Sequence, residues 1–215
     1  MPDRVIAVSG LKGGIGKSTL AMFIAFVWAV LRGKRVLYVD ADPSSQTGWD
    51  WWKLARDRDT PLPFDIETWP HAQVGDMVAD RTPGKYDVVV IDCGGDSDAI
   101  LRSAVEVCTY ALVVTTPNKA DIRRLSATFA SALKAAKDAG RTSEIDAAVV
   151  FTKVDNRRQA ANKEMRRQIE AKLPMLQREL SLKPAVYADA MGTNVTSHAD
   201  LEEAKELVEE MEAAA

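Results

Sequence analysis

Val5-Ile-Ala-Val8, the segment Gly10-Leu-Lys-Gly-Gly-Ile-Gly-Lys-Ser18 and an apolar run reaching Leu31 follow one another near the start of the chain. The β-branched run reads as a strand, the glycines as a loop, and residues 17–31 as a helix apolar nearly all round. The glycine segment fits G-x-x-x-x-G-K-[ST], and it lies between strand and helix, the context that pattern requires. Glycines let successive backbone amides turn inward around phosphate oxygens, and a helix N-terminus adds partial positive charge. Lys17 is therefore assigned to the outer phosphates and Ser18 to a magnesium ion. Gly13, Gly14, Ile15, Gly16 and Thr19 complete the nucleotide contacts. A glycine-rich turn without chemistry is the competing reading, and the flanking elements weigh against it.

Working outward, residues 35–39 form a second buried strand ending in Asp40, and residues 86–91 a third ending in Asp92. Residues 110–115 and 147–151 repeat the pattern. Helical stretches are expected at 45–58, 72–80, 98–107, 121–139, 157–173 and 197–214. Strands that are continuously apolar and separated by helices indicate a mostly parallel sheet covered on both faces. The expected fold is a doubly wound α/β P-loop NTPase, with residues 1–215 as one domain.

Composition narrows the possibilities. Of 215 residues 47% are hydrophobic and 27% charged, with 12 Gly and 9 Pro, which excludes disordered, collagen-like and coiled-coil chains. Lys and Arg number 28 against 31 Asp and Glu, so any affinity for nucleic acid must come from a local patch. Cys93 and Cys108 are too few for a disulfide scaffold or zinc cluster and suit a reducing compartment. The longest apolar stretch, about 12 residues, falls short of the roughly 20 that a membrane span needs. No small-residue cleavage site follows Arg4, so a cytoplasmic protein is expected.

Lys12 is a second lysine inside the glycine loop. With Lys12-Gly-Gly-Ile-Gly-Lys-Ser18 the chain resembles the deviant Walker A group of the ParA/MinD family, whose pattern is K-G-G-x-G-K-[ST]. The resemblance implies that Lys12 crosses to the nucleotide of an opposing subunit, so that two subunits face each other across two ATP molecules. A cation held there would stabilise charge that develops during phosphoryl transfer.

Ligands of open α/β sheets bind beyond the carboxyl ends of the strands, which singles out Asp40, Asp42 and Asp92. Nucleotide-bound magnesium keeps several waters, which carboxylates hold and orient, and Asp92 suits that role as a Walker B acid. Asp40-Ala-Asp42-Pro43 resembles the family's D-x-D-P element, which assigns Asp42 to the attacking water and Asp40 to the magnesium environment. Helix capping before Ser45 is the alternative for both acids. Two departures stand out: Ser44 where the family commonly has Gln, with Gln46 two residues on, and Asp92-Cys-Gly-Gly95 where it often has two prolines. The glycines predict a more flexible segment, with Cys93 as a small buried filler.

Thr152-Lys-Val-Asp155 matches [NT]-K-x-D, a guanine-reading motif in which the acid accepts guanine N–H groups. The resemblance as a whole favours ATP, with Thr152 and Asp155 near the base and Pro117 and Asn118 at the adenine. From Lys153 to Lys183 nine basic and four acidic residues give a local charge of +5. On the helix expected at 157–173, Ala161, Met165, Ile169 and Leu173 share one face, opposite Lys163, Arg166 and Arg167. Such a face holds phosphates without reading bases. A merely solvated helix face is the alternative.

The resemblance implies non-specific DNA binding by the ATP-bound homodimer, nucleoid association, and a ParB-like or other cargo-bound partner that stimulates slow hydrolysis. With Lys12 so near the first residue, no N-terminal helix-turn-helix domain is expected, and sequence-specific operator binding is not expected either. Arg123 and Arg124 suit a dimer face or DNA equally. Trp49, Trp51 and Trp52 read as core and interface packing. The segment from Asp200 to Glu212, with seven acids and one lysine, reads as a solvated helix face that anionic membrane would repel. Two rivals remain: a GTP-dependent regulatory switch, and a metal-cluster or assembly ATPase, which would need paired cysteines.

Overall fold

The structure is a computed structural model that describes residues 1–10, 12–95, 97–120, 125–126, 129–130, 134, 146–187 and 189–214. In chain order it runs β1 (Arg4–Ser9), α1 (Lys17–Phe26), β2 (Val36–Ala41), α2 (Thr47–Asp57), β3 (Asp65–Thr68), α3 (Val74–Arg81) and β4 (Val88–Cys93). There follow α4 (Asp98–Val107), β5 (Tyr110–Thr115), β6 (Asp146–Phe151), α5 (Gln159–Glu170), α6 (Pro184–Tyr187) and α7 (His198–Ala214). The helix expected at 121–139, with Arg123 and Arg124, lies outside the described residues.

The six strands form one sheet in the order β3-β2-β4-β1-β5-β6, and every neighbouring pair is parallel. This is the doubly wound α/β architecture expected of the sequence. Alternate side chains of each strand feed opposite faces. Ile6, Val8, Tyr38, Val90, Leu112 and Val150 pack under α1 and α7, whereas Val5, Ala7, Leu37, Val39, Val89 and Ile91 pack under α3 and α4. Because both faces are covered, no strand in the middle needs polar alternation, which is why these runs read as continuously apolar.

Three expectations change. α1 continues beyond Phe26 as a wider π-helical turn, Val27–Leu31, and stops before Gly33 at φ +62°. β3, Asp-Ile-Glu-Thr, was not anticipated: it is an edge strand with no fully buried residue, so it lacks the apolar signal of its neighbours. α7 is more than a solvated face. Its Leu201, Ala204, Leu207, Val208 and Met211 are buried in the α1 core, and several of its acids bind the segment 177–187.

Candidate nucleotide site

The glycine loop leaves β1 at the carboxyl edge of the sheet, between β4 and β5, and runs into α1. Gly16 caps the helix at φ +95°, a conformation that suits glycine alone. Lys17 is buried, and its Nζ donates to the Lys12 carbonyl at 3.1 Å, closing the loop on itself. Lys12 is exposed. One loop therefore offers an internal cation and a cation at its rim.

Asp40 and Asp92 are register partners on β2 and β4, so their side chains emerge side by side at the strand ends. Asp92 is fully buried; its Oδ2 accepts from the Tyr38 hydroxyl at 2.8 Å, and its Oδ1 is buried with no hydrogen-bond partner among the described residues. Burial, opposed by the Ser18 side chain and reinforced by the Asp40 charge, pushes the Asp92 carboxyl up to about 7. Burial likewise raises Asp40, although the amides of Trp49 and Asp42 donate to it at 2.9 and 3.3 Å. The capping role considered for Asp40 is thus present in the Trp49 contact.

An orphaned carboxylate oxygen beside the Ser18 hydroxyl and a second buried acid is a donor set that suits a hard divalent cation. Among the described residues no group of three or more His, Cys, Asp or Glu gathers to hold a metal by itself. The fit is to an ion that takes its remaining ligands from nucleotide phosphates and water.

Asp42 follows a different pattern. Its Oδ1 accepts from the amides of Ser44 and Ser45 at 2.8 and 3.3 Å, and its Oδ2 from the Ser45 hydroxyl at 2.9 Å. Gln46 then takes a left-handed conformation, φ +42°, before α2 begins. The segment after Asp92 is pressed against both sites. A Cβ on Gly94 would lie 2.9 Å from Asp42 Oδ1, and one on Gly95 would lie 2.9 Å from the Gly10 carbonyl and 3.3 Å from the Lys12 amide. The two glycines, read from sequence as flexibility, are needed for close approach. Cys93 is fully buried, as expected, and burial pushes its thiol well up.

A cavity of about 270 Å³ opens beside Gly16 and Thr19. Thr152 and Lys153 form one wall. The Thr152 hydroxyl donates to the Ile15 carbonyl at 2.5 Å, and Lys153, held at φ +54°, donates from Nζ to the Gly14 carbonyl at 2.5 Å. Leu180 to Pro184 and Tyr187 form the other wall. Pro117 and Asn118 line a separate cleft with Arg158 and Met165, so they do not meet this cavity. Asp155 does not line it either; it caps the turn at Asn156–Arg158 and pairs with Arg157 at 3.0 Å, which holds its carboxyl below the usual range. Lys153, Tyr38 and the 180–187 wall escaped the sequence reading. Only Lys153 carried a signal, as the lysine of the Thr152 motif.

The basic face of α5 divides. Met165 and Ile169 are buried as the periodicity predicts. Arg166 is turned inward, donating to the Leu176 carbonyl and to Glu179, each at 2.5 Å, and lying over the Phe151 ring. Lys163 and Arg167 are exposed, Arg167 pairing with Glu164 at 3.4 Å. The tryptophans divide too: Trp51 is buried against Phe23 and Phe26, while Trp49 and Trp52 stack at 4.5 Å with Arg56 over Trp52.

A glycine loop at the carboxyl edge of the sheet, closed around a buried lysine and flanked by strand-end acids, has the form of a P-loop phosphate site. Residues 6–195 match the CobQ/CobB/MinD/ParA nucleotide-binding domain, and the chain belongs to that family. The ParA and MinD members are P-loop ATPases. A Gloeobacter kilaueensis protein named for maintenance of carboxysome distribution is 35% identical over 114 residues, which cover 53% of this chain and 49% of the relative. The match thus spans about half the length of that relative. In fold, the chain is similar to a Borrelia burgdorferi plasmid partition protein bound to AMPPNP, with a TM-score of 0.73, 16% identity and both chains fully covered. It is also similar to a Cyanothece McdA in complex with ATP, with a TM-score of 0.71, 16% identity, and 99% and 98% of the two chains covered. Among the described residues no helix is long and apolar enough to cross a membrane.

Proposed function

We propose that residues 1–215 form one deviant Walker A ATPase domain that couples an ATP cycle to the positioning of a cargo. The observation that carries this reading is the pair of lysines in one glycine loop, Lys17 buried and Lys12 exposed at the rim. Lys17 would leave the Lys12 carbonyl to hold the outer phosphates, while Lys12 reaches the nucleotide of a second copy. Ser18, Asp92 and Asp40 would hold magnesium and its waters; bound there, the ion would neutralise charge on the phosphates. Asp42 would orient the attacking water.

The base is assigned to the cavity beside Gly16 and Thr19, where the Thr152 and Lys153 wall is tied to the glycine loop. Pairing of Asp155 with Arg157 argues against guanine reading and supports ATP. Two buried cysteines outside any C-x-x-C motif give no support to a metal-cluster carrier.

Two copies joined by ATP would hold DNA without reading its sequence, through exposed cations including Lys163 and Arg167, and Arg166 serves the fold instead. A ParB-like or other partner on the cargo would stimulate hydrolysis and release the dimer. The carboxysome-distribution relative supports a protein assembly as cargo, and the partition protein supports a plasmid; the proposed cycle would serve either. The test is retention of the protein on non-specific duplex DNA with ATP, ADP or GTP at low salt, alongside its mass in solution. Dimers and retention with ATP alone are expected; equal retention without nucleotide refutes the cycle.

A further inference from the structure

The cavity assigned above to the base has two walls, and they are anchored in different places. Thr152 and Lys153 are fixed to the glycine loop itself. The opposite wall belongs to the segment 180–187, whose backbone is tied to β6 and its extension through Leu180, which donates to the Phe151 carbonyl and accepts from the Val154 amide, and through Leu182, which donates to the Val154 carbonyl. Leu180 is buried in the core and Tyr187 lies edge-on to Phe23 at 4.9 Å, while the polar groups of the wall converge on one carboxylate of α7. Glu203 Oε2 accepts from the Ser181 amide at 3.0 Å and from the Tyr187 hydroxyl at 2.6 Å, while Oε1 pairs with Lys183 Nζ at 2.7 Å. All three donors line the cavity.

Burial alone would raise the Glu203 carboxyl, yet Lys183, Tyr187 and Ser181 together hold it below its ordinary value. A half-buried charge so fully paired fixes its partners' geometry, since a displaced donor would leave part of that charge unsatisfied. The other acids of α7 differ. Glu206 pairs with Arg178, and Glu210 accepts from the amides of Gln177 and Arg178, none of which lines the cavity.

We infer that Glu203 is a positioning residue for the nucleotide base: it acts through Ser181, Lys183 and Tyr187 to preform the wall against which the base packs. The inference rests on the base assignment above. It makes α7 part of the nucleotide site although no α7 residue lines the cavity. Preorganisation of this kind favours binding because the wall need not be ordered when the ligand arrives.

The experiment compares dissociation constants for ATP and for inorganic tripolyphosphate, both with magnesium, in the wild-type chain, Glu203→Ala, Glu203→Gln and Glu206→Ala. Wild type should bind ATP more tightly than tripolyphosphate. Glu203→Ala should weaken ATP about tenfold, the loss of one charge-assisted contact set, while tripolyphosphate stays within about twofold. Glu203→Gln keeps an acceptor and the side-chain volume, so a smaller loss confined to ATP is expected, and it decides the matter if the alanine variant does not fold. Glu206→Ala should match wild type for both ligands. An unchanged ATP constant in both Glu203 variants, or equal losses for the two ligands, overturns the role of Glu203. If wild type itself binds both ligands alike, the base assignment fails instead, and the inference falls with it.

Discussion

Tyr38→Phe removes one oxygen and leaves a fully buried ring in place. The ring is confined by α2, because a Cβ on Gly48 would collide with it, so the ring of the variant cannot shift to compensate. The hydroxyl gives Asp92 Oδ2 its 2.8 Å bond, and Oδ1 has no partner already. A hydrogen bond to an ionised group contributes about 1.5–3 kcal/mol, so its loss pushes an Asp92 carboxyl already at about 7 further up. Magnesium must displace that proton. At pH 7 the variant should lose about tenfold in the magnesium-dependent part of ATP affinity, since about 1.4 kcal/mol is a factor of ten. Without magnesium its affinity should match wild type. In wild type the magnesium effect should weaken as pH falls through about 7, and in the variant the same weakening should begin at higher pH. The nucleotide-free fold runs the other way. A raised carboxyl stabilises it fully below 3.8, the ordinary value, and that contribution is lost as pH rises to about 7. Calorimetric titration with ATP at several pH values, with magnesium or with chelator, makes the comparison. Identical pH profiles for variant and wild type would refute the reasoning.

Lys17→Ala should abolish nucleotide binding, whereas Lys12→Ala should bind ATP within a few-fold of wild type yet fail to dimerise or turn over; light scattering and phosphate release separate the two. Gly95→Ala puts a methyl against the Gly10 carbonyl and Lys12 amide, an overpacking of about 1–3 kcal/mol, and should raise the ATP dissociation constant at least several-fold in fluorescence titrations. Ser45→Ala frees Asp42 Oδ2 and should raise basal hydrolysis about two- to fivefold, an effect that Asp42→Ala must abolish if that acid orients the water. Lys163→Glu with Arg167→Glu should weaken DNA retention at low salt and lower its salt dependence, with ATP affinity unchanged; Arg166→Glu should instead lower the melting temperature, because Arg166 bonds to Leu176 and Glu179.

The sheet and glycine loop were legible because each rests on a local rule. Buried strands demand apolar runs, and phosphate binding demands glycines between strand and helix, so Val5 to Ser18 carries its own meaning. Asp40 and Asp92 were legible for a related reason: in a parallel sheet the strand ends gather at one edge, so position in sequence gives position in space. β3 was not legible, since an edge strand of Asp, Ile, Glu and Thr has no buried face to advertise it. The far wall of the cavity was not legible either. Ser181, Lys183 and Tyr187 converge on Glu203, 16 to 22 residues away in sequence, and nothing in an acidic helix distinguishes the one carboxylate that turns inward. Arg166 shows the same limit from the opposite side. Periodicity put it with Lys163 and Arg167, but Glu179 and the Phe151 ring draw it in, and contacts made across the fold leave no mark on helical spacing.

If Asp42 orients the attacking water as proposed, its state in this fold would make hydrolysis slow without a partner. Both of its oxygens are engaged within its own turn, Oδ1 by two amides and Oδ2 by the Ser45 hydroxyl. An acid so occupied can orient water only by giving up a donor, and each such bond costs about 1 kcal/mol or more to break. Gly94 stands against that carboxylate and Gly95 against the loop that would cradle the phosphates. A displacement of the glycine loop on nucleotide binding would therefore press on the 94–95 segment and, through it, on Asp42. Gly95 is packed against backbone and Gly94 against the Asp42 carboxylate and the Pro43 ring, contacts that leave the segment few ways to yield. The pair of glycines that replaces prolines in this chain thus joins the glycine loop to the acid proposed to orient water by contact, and a partner of the proposed kind that moved either side of that contact would change the rate at the other.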